Sequence, residues 1–286
     1  MSEAPFAPLP SLLYEGVVRR ALAEDLGRAG DITTDATVPA DRAGEAAIVA
    51  REAGRVAGLD VALSVFRLLD DGATVEVHQA DGTDAGGSAT LAVVRARARA
   101  LLTGERTALN FLGHLSGIAT ATRDVVGRLE GLPTRVACTR KTTPGLRALE
   151  KYAVVVGGGE SHRYGLDDAV LIKDNHVAVA GGITPAVARV RRRVGHMVKV
   201  ELEVDTLEQL DEALDLGVDV ILLDNMDPET MHEAVRRATG RALTEASGGI
   251  RPDAVRAVAE TGVDLISLGW LTHSAPSLDV ALDIFA

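Results

Sequence analysis

At 286 residues the chain is long enough for one barrel, or for one barrel with a smaller domain. Apolar residues make up 47% and aromatics only 3%, so the core must be built from Val, Leu, Ile and Ala. That favours buried parallel strands and Ala-rich helices over an aromatic-filled sandwich. A net charge of −11 argues against nonspecific nucleic-acid binding. No apolar run reaches the roughly 18 residues of a membrane span, and MSEAPFAPLP lacks the basic segment and apolar core of a secretory signal. The single Cys138 excludes an intramolecular disulfide and any multi-cysteine metal site, so the cytoplasm is the expected compartment and no membrane contact is expected.

In chain order, residues 1–115 predict an α+β domain. Helices are expected near 12–24 and 60–70, and short strands within 45–58, 73–82 and 90–102, separated by glycine turns. A helix from Leu101 to about Glu130 should bridge to the second part, with interruptions around Gly113 and Gly117. From there short apolar runs alternate with helical patterns. Strand 134–141 leads to helix 146–156, then to the glycine run Gly157–Gly159 and the loop ESHRYG. Strand 168–173 precedes DNH and a helix from Thr184 to Val194, with Pro185 near its start. Strand 197–205 precedes helix 206–216, which Gly217 ends. Strand 218–224 precedes helix 228–239, strand 242–247 precedes helix 252–261, and 263–269 is the last strand of the series.

Six βα units of this kind indicate a parallel sheet with right-handed crossovers. No G-x-G-x-x-G follows any strand, which weakens the doubly wound alternative. The expected class is α/β: a parallel α/β-barrel of about six strands (116–274) behind an N-terminal α+β domain (1–115). The tail 275–286 is a candidate to pack with the N-terminal domain.

In a barrel the chemistry sits at the C-terminal strand ends. Read in order, those ends carry Arg140 and Lys141, Lys173 and Asp174, Glu203, Asp224, Ser247 and Gly269. Helix capping accounts for Asp205 and Asp227, but not for Arg-Lys or Lys at a buried strand end. Period 2 puts Lys199, Glu201, Glu203 and Asp205 on one face of the third strand, so that face points inward. Glu201 is expected in an ion-pair network with Lys199, whereas Glu203 lies nearer the exit. With Asp224 from the adjacent strand, Glu203 makes a carboxylate pair suited to Mg²⁺. The loops Ser247-Gly248-Gly249 and Ser267-Leu268-Gly269 can offer backbone N–H groups to a phosphate.

Loop 157–165 adds His162 and Arg163 to the cations at 140, 141 and 173. Such a cluster repels itself unless an anion sits inside it, and a planar dicarboxylate would fit. The histidines at 78, 114, 176, 196, 232 and 273 show no metal-ligand spacing and are expected to be structural.

The strings TRKTTPGLRALEKYAVVVGGGESHRYGLDDAVLIKDNH, VELEVDTLEQL, ILLDNM, EASGGI and LISLGWLTHS occur in this order. With ALAEDLGRAGDITT and GERTALNFLGHLSGIAT upstream, they resemble the quinolinate phosphoribosyltransferase family from about residue 20 to 284. The resemblance implies transfer of phosphoribosyl from phosphoribosyl pyrophosphate to quinolinate, with loss of CO₂ and with Mg²⁺ as cofactor. It places Arg106, Arg140, Lys141, His162 and Arg163 around the quinolinate carboxylates, and Thr139 among the substrate-binding residues. Lys173, Glu203 and Asp224 fall on the ribose and pyrophosphate side, the two carboxylates through Mg²⁺. Ser247, Gly248, Gly249, Ser267 and Gly269 fall at the 5′-phosphate. Lys141, Lys173, Glu203 and Asp224 are the expected catalytic set. The resemblance also implies a homodimer, in which Arg106 reaches the neighbouring subunit's site. The alternatives are a relative with another acceptor, such as nicotinate, or a molybdenum-associated paralogue of the family. Beyond these stand a Schiff-base lyase using Lys173 and a noncatalytic phosphate-binding module.

Overall fold

The computed structural model describes residues 7–285, which form two compact units. The first comprises the described residues of Met1–Arg123, Thr142–Gly158 and Trp270–Ala286. Its sheet is antiparallel. Strand β1 (Ala43–Ala50) pairs on one side with the C-terminal strand Val280–Phe285. On its other side it pairs with β5 (Thr90–Arg97), which holds β3 (Thr74–Val77) at the far edge. A two-stranded ribbon joins β2 (Gly54–Arg55) to β4 (Asp84–Ala85). Helix Leu59–Leu69 buries six apolar side chains, Phe66 among them; all but Ala62 are large enough to contribute about 1.5–3 kcal/mol each of transfer free energy.

The long helix departs from expectation. Ala98–Arg128 is one helix of 31 residues, unbroken at Gly113 and Gly117. Those glycines are sites of close approach. A Cβ on Gly117 would stand 2.0 Å from the Pro276 carbonyl oxygen, and one on Gly113 would stand 2.9 Å from that of Leu278. Helix Arg147–Val156 ends at Gly157, where a Cβ would meet the Ala119 carbonyl oxygen at 2.6 Å. Glycine here lets backbones touch rather than breaking a helix.

The second unit, Asp124–Lys141 with Gly159–Gly269, is α/β. Its strands are β6 (Arg135–Ala137), β7 (Val170–Ile172), β8 (Val200–Val204), β9 (Val220–Asp224), β10 (Leu243–Ser247) and β11 (Leu265–Ser267). They lie in the order β6-β11-β10-β9-β8-β7, and every pair is parallel. The free edge of β6 is met by Glu160, which bridges to Ala137; its N–H donates to the Val136 carbonyl at 2.7 Å. The strands are shorter than the sequence predicts, because pairing stops where the chain turns toward the loops. Val200, Leu202, Val204, Ile221, Leu223, Ala246 and Ile266 are buried, alternating along the strands with the residues that form the site. DNH is not a loop but opens helix Asp174–Ala180.

Caps fix the strand-to-helix turns. Asp227 accepts from the N–H groups of Glu229 and Thr230, both at 3.0 Å, ahead of Pro228. At helix Leu207–Leu216 the cap is Thr206, accepting from Gln209 N–H, and not Asp205 as the sequence suggests.

Candidate active site

Strand register decides which side chains share a face. Glu203 of β8 lies opposite Leu222 of β9, Asp224 opposite Ser247 of β10, and Glu245 opposite Leu265 of β11. Counting by twos from these pairs brings Lys173, Glu203, Asp224, Ser247, Ser267 and Thr139 to one face at the C-terminal strand ends. There they line a cavity of about 540 Å³, within the usual size range of small-molecule sites. Arg140, Lys141, His162, Arg163, Gly248 and Gly249 complete the predicted residues that line it. Leu171, Leu222, Asn225 and Glu245 join them, and the sequence reading singled out none of these four. Gly269 is not among the lining residues, and neither is Arg106, an exposed residue of helix Ala98–Arg128 in the first unit.

The cavity wall has three chemical zones. On one side lie Arg140, Lys141, His162 and Arg163. Among the described residues Arg140 Nε is buried without a hydrogen-bond partner, so it is a donor available to a ligand. Burial holds the Arg163 guanidinium below its ordinary pKa, and the charge of Arg140 adds to the effect. The loop that carries Arg163 is shaped by Asp168, which accepts from the N–H groups of Tyr164 and Gly165. Against the effect of burial, these bonds hold its carboxyl below the usual range.

The second zone is acidic. Lys173 Nζ donates to Glu203 Oε2 at 2.8 Å, and Asn225 Nδ2 donates to Asp224 Oδ2 at 2.7 Å. Asn225 has φ 52°, a left-handed conformation that asparagine tolerates better than most residues. Glu203 and Asp224 come from adjacent strands and present hard oxygen donors to one cavity, a donor set that fits Mg²⁺.

The third zone is neutral: Ser247, Gly248, Gly249 and Ser267. Both glycines have positive φ (99° and 57°), and Ser267 Oγ is buried without a partner among the described residues. A strand end made of small residues in left-handed conformations offers N–H groups to an oxyanion.

Beneath the cationic zone the structure corrects one expectation. Lys199 does not pair with Glu201; its Nζ meets Asp219 Oδ1 at 2.5 Å. Glu201 Oε2 lies 3.2 Å from His162 Nε2, and Glu245 Oε2 lies 3.4 Å from the same atom. β9 separates the strands that carry the two glutamates, so their convergence on one imidazole shows that the sheet curls around this face. Burial works to lower the imidazole pKa, while the two carboxylates work to raise it. The N–H of Arg163 works against them, because it donates to Nδ1 at 2.8 Å and so requires an unprotonated nitrogen there. That geometry describes the neutral ring, with its proton on Nε2 facing the glutamates. Glu245 was legible in principle, since the alternation of LTEAS puts it on the same face as Ser247.

Two family models match the chain: the N-terminal domain of quinolinate phosphoribosyl transferase over residues 31–116, and the C-terminal domain over residues 118–283. The chain belongs to the quinolinate phosphoribosyltransferase family. The nicotinate-nucleotide pyrophosphorylase (carboxylating) of Mycobacterium leprae is 47% identical over 272 residues, which are 93% of this chain and 95% of that protein. Among solved structures, NadC from Streptococcus pyogenes superposes with a TM-score of 0.94 at 38% identity, covering 98% of this chain and 99% of that one. The nicotinate-nucleotide pyrophosphorylase of Ehrlichia chaffeensis gives 0.91 at 42% identity, with 95% and 98% covered. For a member of the quinolinate phosphoribosyltransferase family, the Lys173–Glu203 pair also bears on the Schiff-base alternative. An ammonium engaged by a carboxylate is not a free amine nucleophile.

Proposed function

We propose that this protein transfers phosphoribosyl from phosphoribosyl pyrophosphate to quinolinate, giving nicotinate mononucleotide, pyrophosphate and CO₂ for NAD biosynthesis. The observation that carries the reading is the meeting of a cationic wall, a carboxylate pair and a neutral glycine cradle in one cavity. Few substrate pairs need all three, and a dicarboxylate acceptor with a phosphorylated, pyrophosphate-bearing donor is one that does.

Arg140, Lys141 and Arg163 receive the two carboxylates, with Thr139 and His162 in the same wall. Arginine suits planar carboxylates because its fork donates two parallel hydrogen bonds. Ser247, Gly248, Gly249 and Ser267 hold the 5′-phosphate, and Ser267 Oγ gains there the partner it lacks among the described residues. So anchored, the ribose presents C1′ to the pyridine nitrogen. The N–C1′ bond forms, the bond from C1′ to the pyrophosphate oxygen breaks, and its electron pair leaves with pyrophosphate. The positive charge that builds on C1′ is stabilised by Glu203 and Asp224.

Glu203 and Asp224 would hold Mg²⁺, which when bound neutralises the leaving pyrophosphate. Lys173 adds positive charge on the same side. The N-ribosylated ring then draws electrons from the 2-carboxylate, CO₂ leaves, and C2 takes a proton from water. Positioning does most of this work, and no serine or cysteine nucleophile is required.

The active form is a homodimer in which Arg106 completes the cationic wall of the second copy. Its exposure on the long helix and its absence from the residues lining this cavity support that role. The cytoplasm suits such an enzyme. Among the described residues no helix is long and apolar enough to cross a membrane, and the one cysteine is buried. The test is release of labelled CO₂ from carboxyl-labelled quinolinate with phosphoribosyl pyrophosphate and Mg²⁺. No release from folded protein would sink the proposal.

A further inference from the structure

The face that leads down from the cavity is apolar at most positions. At the level of Glu201 and Glu245, the residues in register on the neighbouring strands are Leu171, Val220, Leu222 and Leu265. Against these, two carboxylates stand buried, Glu201 at 6% and Glu245 at 3% exposure. Burying ionisable groups costs several kcal/mol unless they are well paired, and well-packed apolar residues would serve stability as well or better. The pairing here is incomplete. Each carboxylate directs one oxygen at His162 Nε2, while Glu201 Oε1 and Glu245 Oε1 have no hydrogen-bond partner among the described residues. A burial cost that packing does not require calls for a role in the site.

His162 shows what that role is. Nε2 faces the two glutamates and Nδ1 accepts the N–H of Arg163, so both ring nitrogens are used within the protein. The ring links the strand interior to the loop, one residue before the guanidinium that lines the substrate cavity. Open space borders that segment. A second cavity of about 200 Å³ lies against it, lined by Ser161, His162, Arg163, Lys199, Glu201 and Glu245 among others. A loop with a hollow beneath it must be held by directed bonds.

We infer that Glu201 and Glu245 are positioning residues that hold His162 as a strut and thereby fix Arg163 in the orientation that receives a substrate carboxylate. The inference rests on the reading of the cavity as a dicarboxylate site, and it assigns to His162 an action through Arg163 rather than on the substrate itself.

The experiment compares Glu245→Gln, the double variant Glu201→Leu/Glu245→Leu, and His162→Ala with the wild-type homodimer. It measures KM for each substrate, kcat, Tm, and calorimetric binding of phthalate, an unreactive aromatic dicarboxylate. The double Leu variant and His162→Ala should each raise quinolinate KM and phthalate Kd about 10-fold or more, since misplacing a binding group by an ångström has effects of that order or larger. KM for phosphoribosyl pyrophosphate should stay within about twofold. Tm should hold or rise in the double Leu variant, because it removes buried charge. Glu245→Gln keeps shape and an acceptor for Nε2–H, so it should fold and retain most of the affinity.

The decisive measurement is a double-mutant cycle with Arg163→Ala. Once Arg163 is gone, Glu245→Leu should cost quinolinate affinity nothing further, whereas independent contacts would add. Additive losses, equal damage to both substrates, or unchanged quinolinate KM in the double Leu variant would overturn the inference. So would a stoichiometric transition-metal ion that co-purifies with wild type and is lost in Glu245→Gln, since it would make the three residues ligands. Wild type that neither binds phthalate nor turns over quinolinate would instead defeat the underlying functional reading.

Discussion

Lys173 Nζ lies 2.8 Å from Glu203 Oε2, an ion pair that ties the end of β7 to the end of β8 at the rim of the cavity. Lys173 is half exposed, whereas the Glu203 side chain is only 10% exposed, so the carboxylate depends on the lysine more than the reverse. If Glu203 is a Mg²⁺ ligand, lysine and metal compete for the same oxygens. Lys173→Met should therefore lower the Mg²⁺ concentration needed for half-maximal activity while lowering kcat, and Glu203→Gln should raise it. Opposite shifts of about threefold or more are expected for charge changes this close. Activation curves that do not move in either variant would remove Glu203 from the metal.

The two ends of the cavity should be separable by substrate. Arg140→Ala removes a guanidinium whose buried Nε has no partner among the described residues, so its loss should fall on quinolinate. Asp224→Ala removes the carboxylate that Asn225 orients, so its loss should fall on phosphoribosyl pyrophosphate. A charged hydrogen bond of this kind is worth roughly 1.5–3 kcal/mol, or about 10- to 100-fold in the affected KM. Steady-state kinetics with each substrate varied in turn decides the matter. The roles are wrong if each variant harms only the other substrate.

Much of the site was readable because strands have a strict period of two. That period put Glu203 inside, and the parallel order put Asp224 beside it. It would have placed Glu245 too, had LTEAS been read by parity rather than as an apolar run. Pairing choices were less legible. Lys199 faces Asp219 instead of Glu201, because the partner is set by which strand lies alongside and not by position on one's own strand. The glycines of the long helix misled for a related reason. A glycine marks either a break or a close approach, and only the return of Pro276 and Leu278 alongside the helix distinguishes the two. The C-terminal strand was illegible as a strand, since its pairing with β1 joins residues more than 200 positions apart.

A pH effect should arise in the first unit. Asp84 accepts from Arg55 Nε and Nη2 at 2.9 and 2.7 Å and from Arg123 Nη1 at 2.8 Å; the bonds from Arg55 do most to hold its carboxyl at a pKa of about 2. The folded-state value lies below the ordinary 3.8. Its stabilisation is therefore fully present above pH 3.8 and is lost as pH falls toward 2. The group is half exposed, so solvent screening limits the effect to about 1 kcal/mol or less. Asp84→Asn should lower the urea midpoint at neutral pH, and the gap from wild type should close on titration from 4 toward 2. A gap that stays constant with pH would show that the carboxylate's charge is not what matters.

Gly248 tests the phosphate cradle and its coupling to the acidic zone. Its φ of 99° strains any residue with a side chain, and a Cβ there would lie 2.2 Å from Asn225 Oδ1 and 2.9 Å from Asn225 N. Asn225 has little room to yield. Its N–H donates to the Ser247 carbonyl at 3.0 Å, and its amide holds Asp224 at 2.7 Å. Gly248→Ala should cost about 1–3 kcal/mol of stability through backbone strain alone. By displacing Asn225 it should also raise KM for phosphoribosyl pyrophosphate while leaving quinolinate affinity near wild type. Adding Asn225→Gly removes the nearer clash and suits the φ of 52° at that position, so the double variant should melt above the single one. It should not regain phosphoribosyl pyrophosphate affinity, because Asp224 then lacks the amide that orients it. Stability and affinity recovering together would mean that Asn225 serves only to fill space beside the cradle.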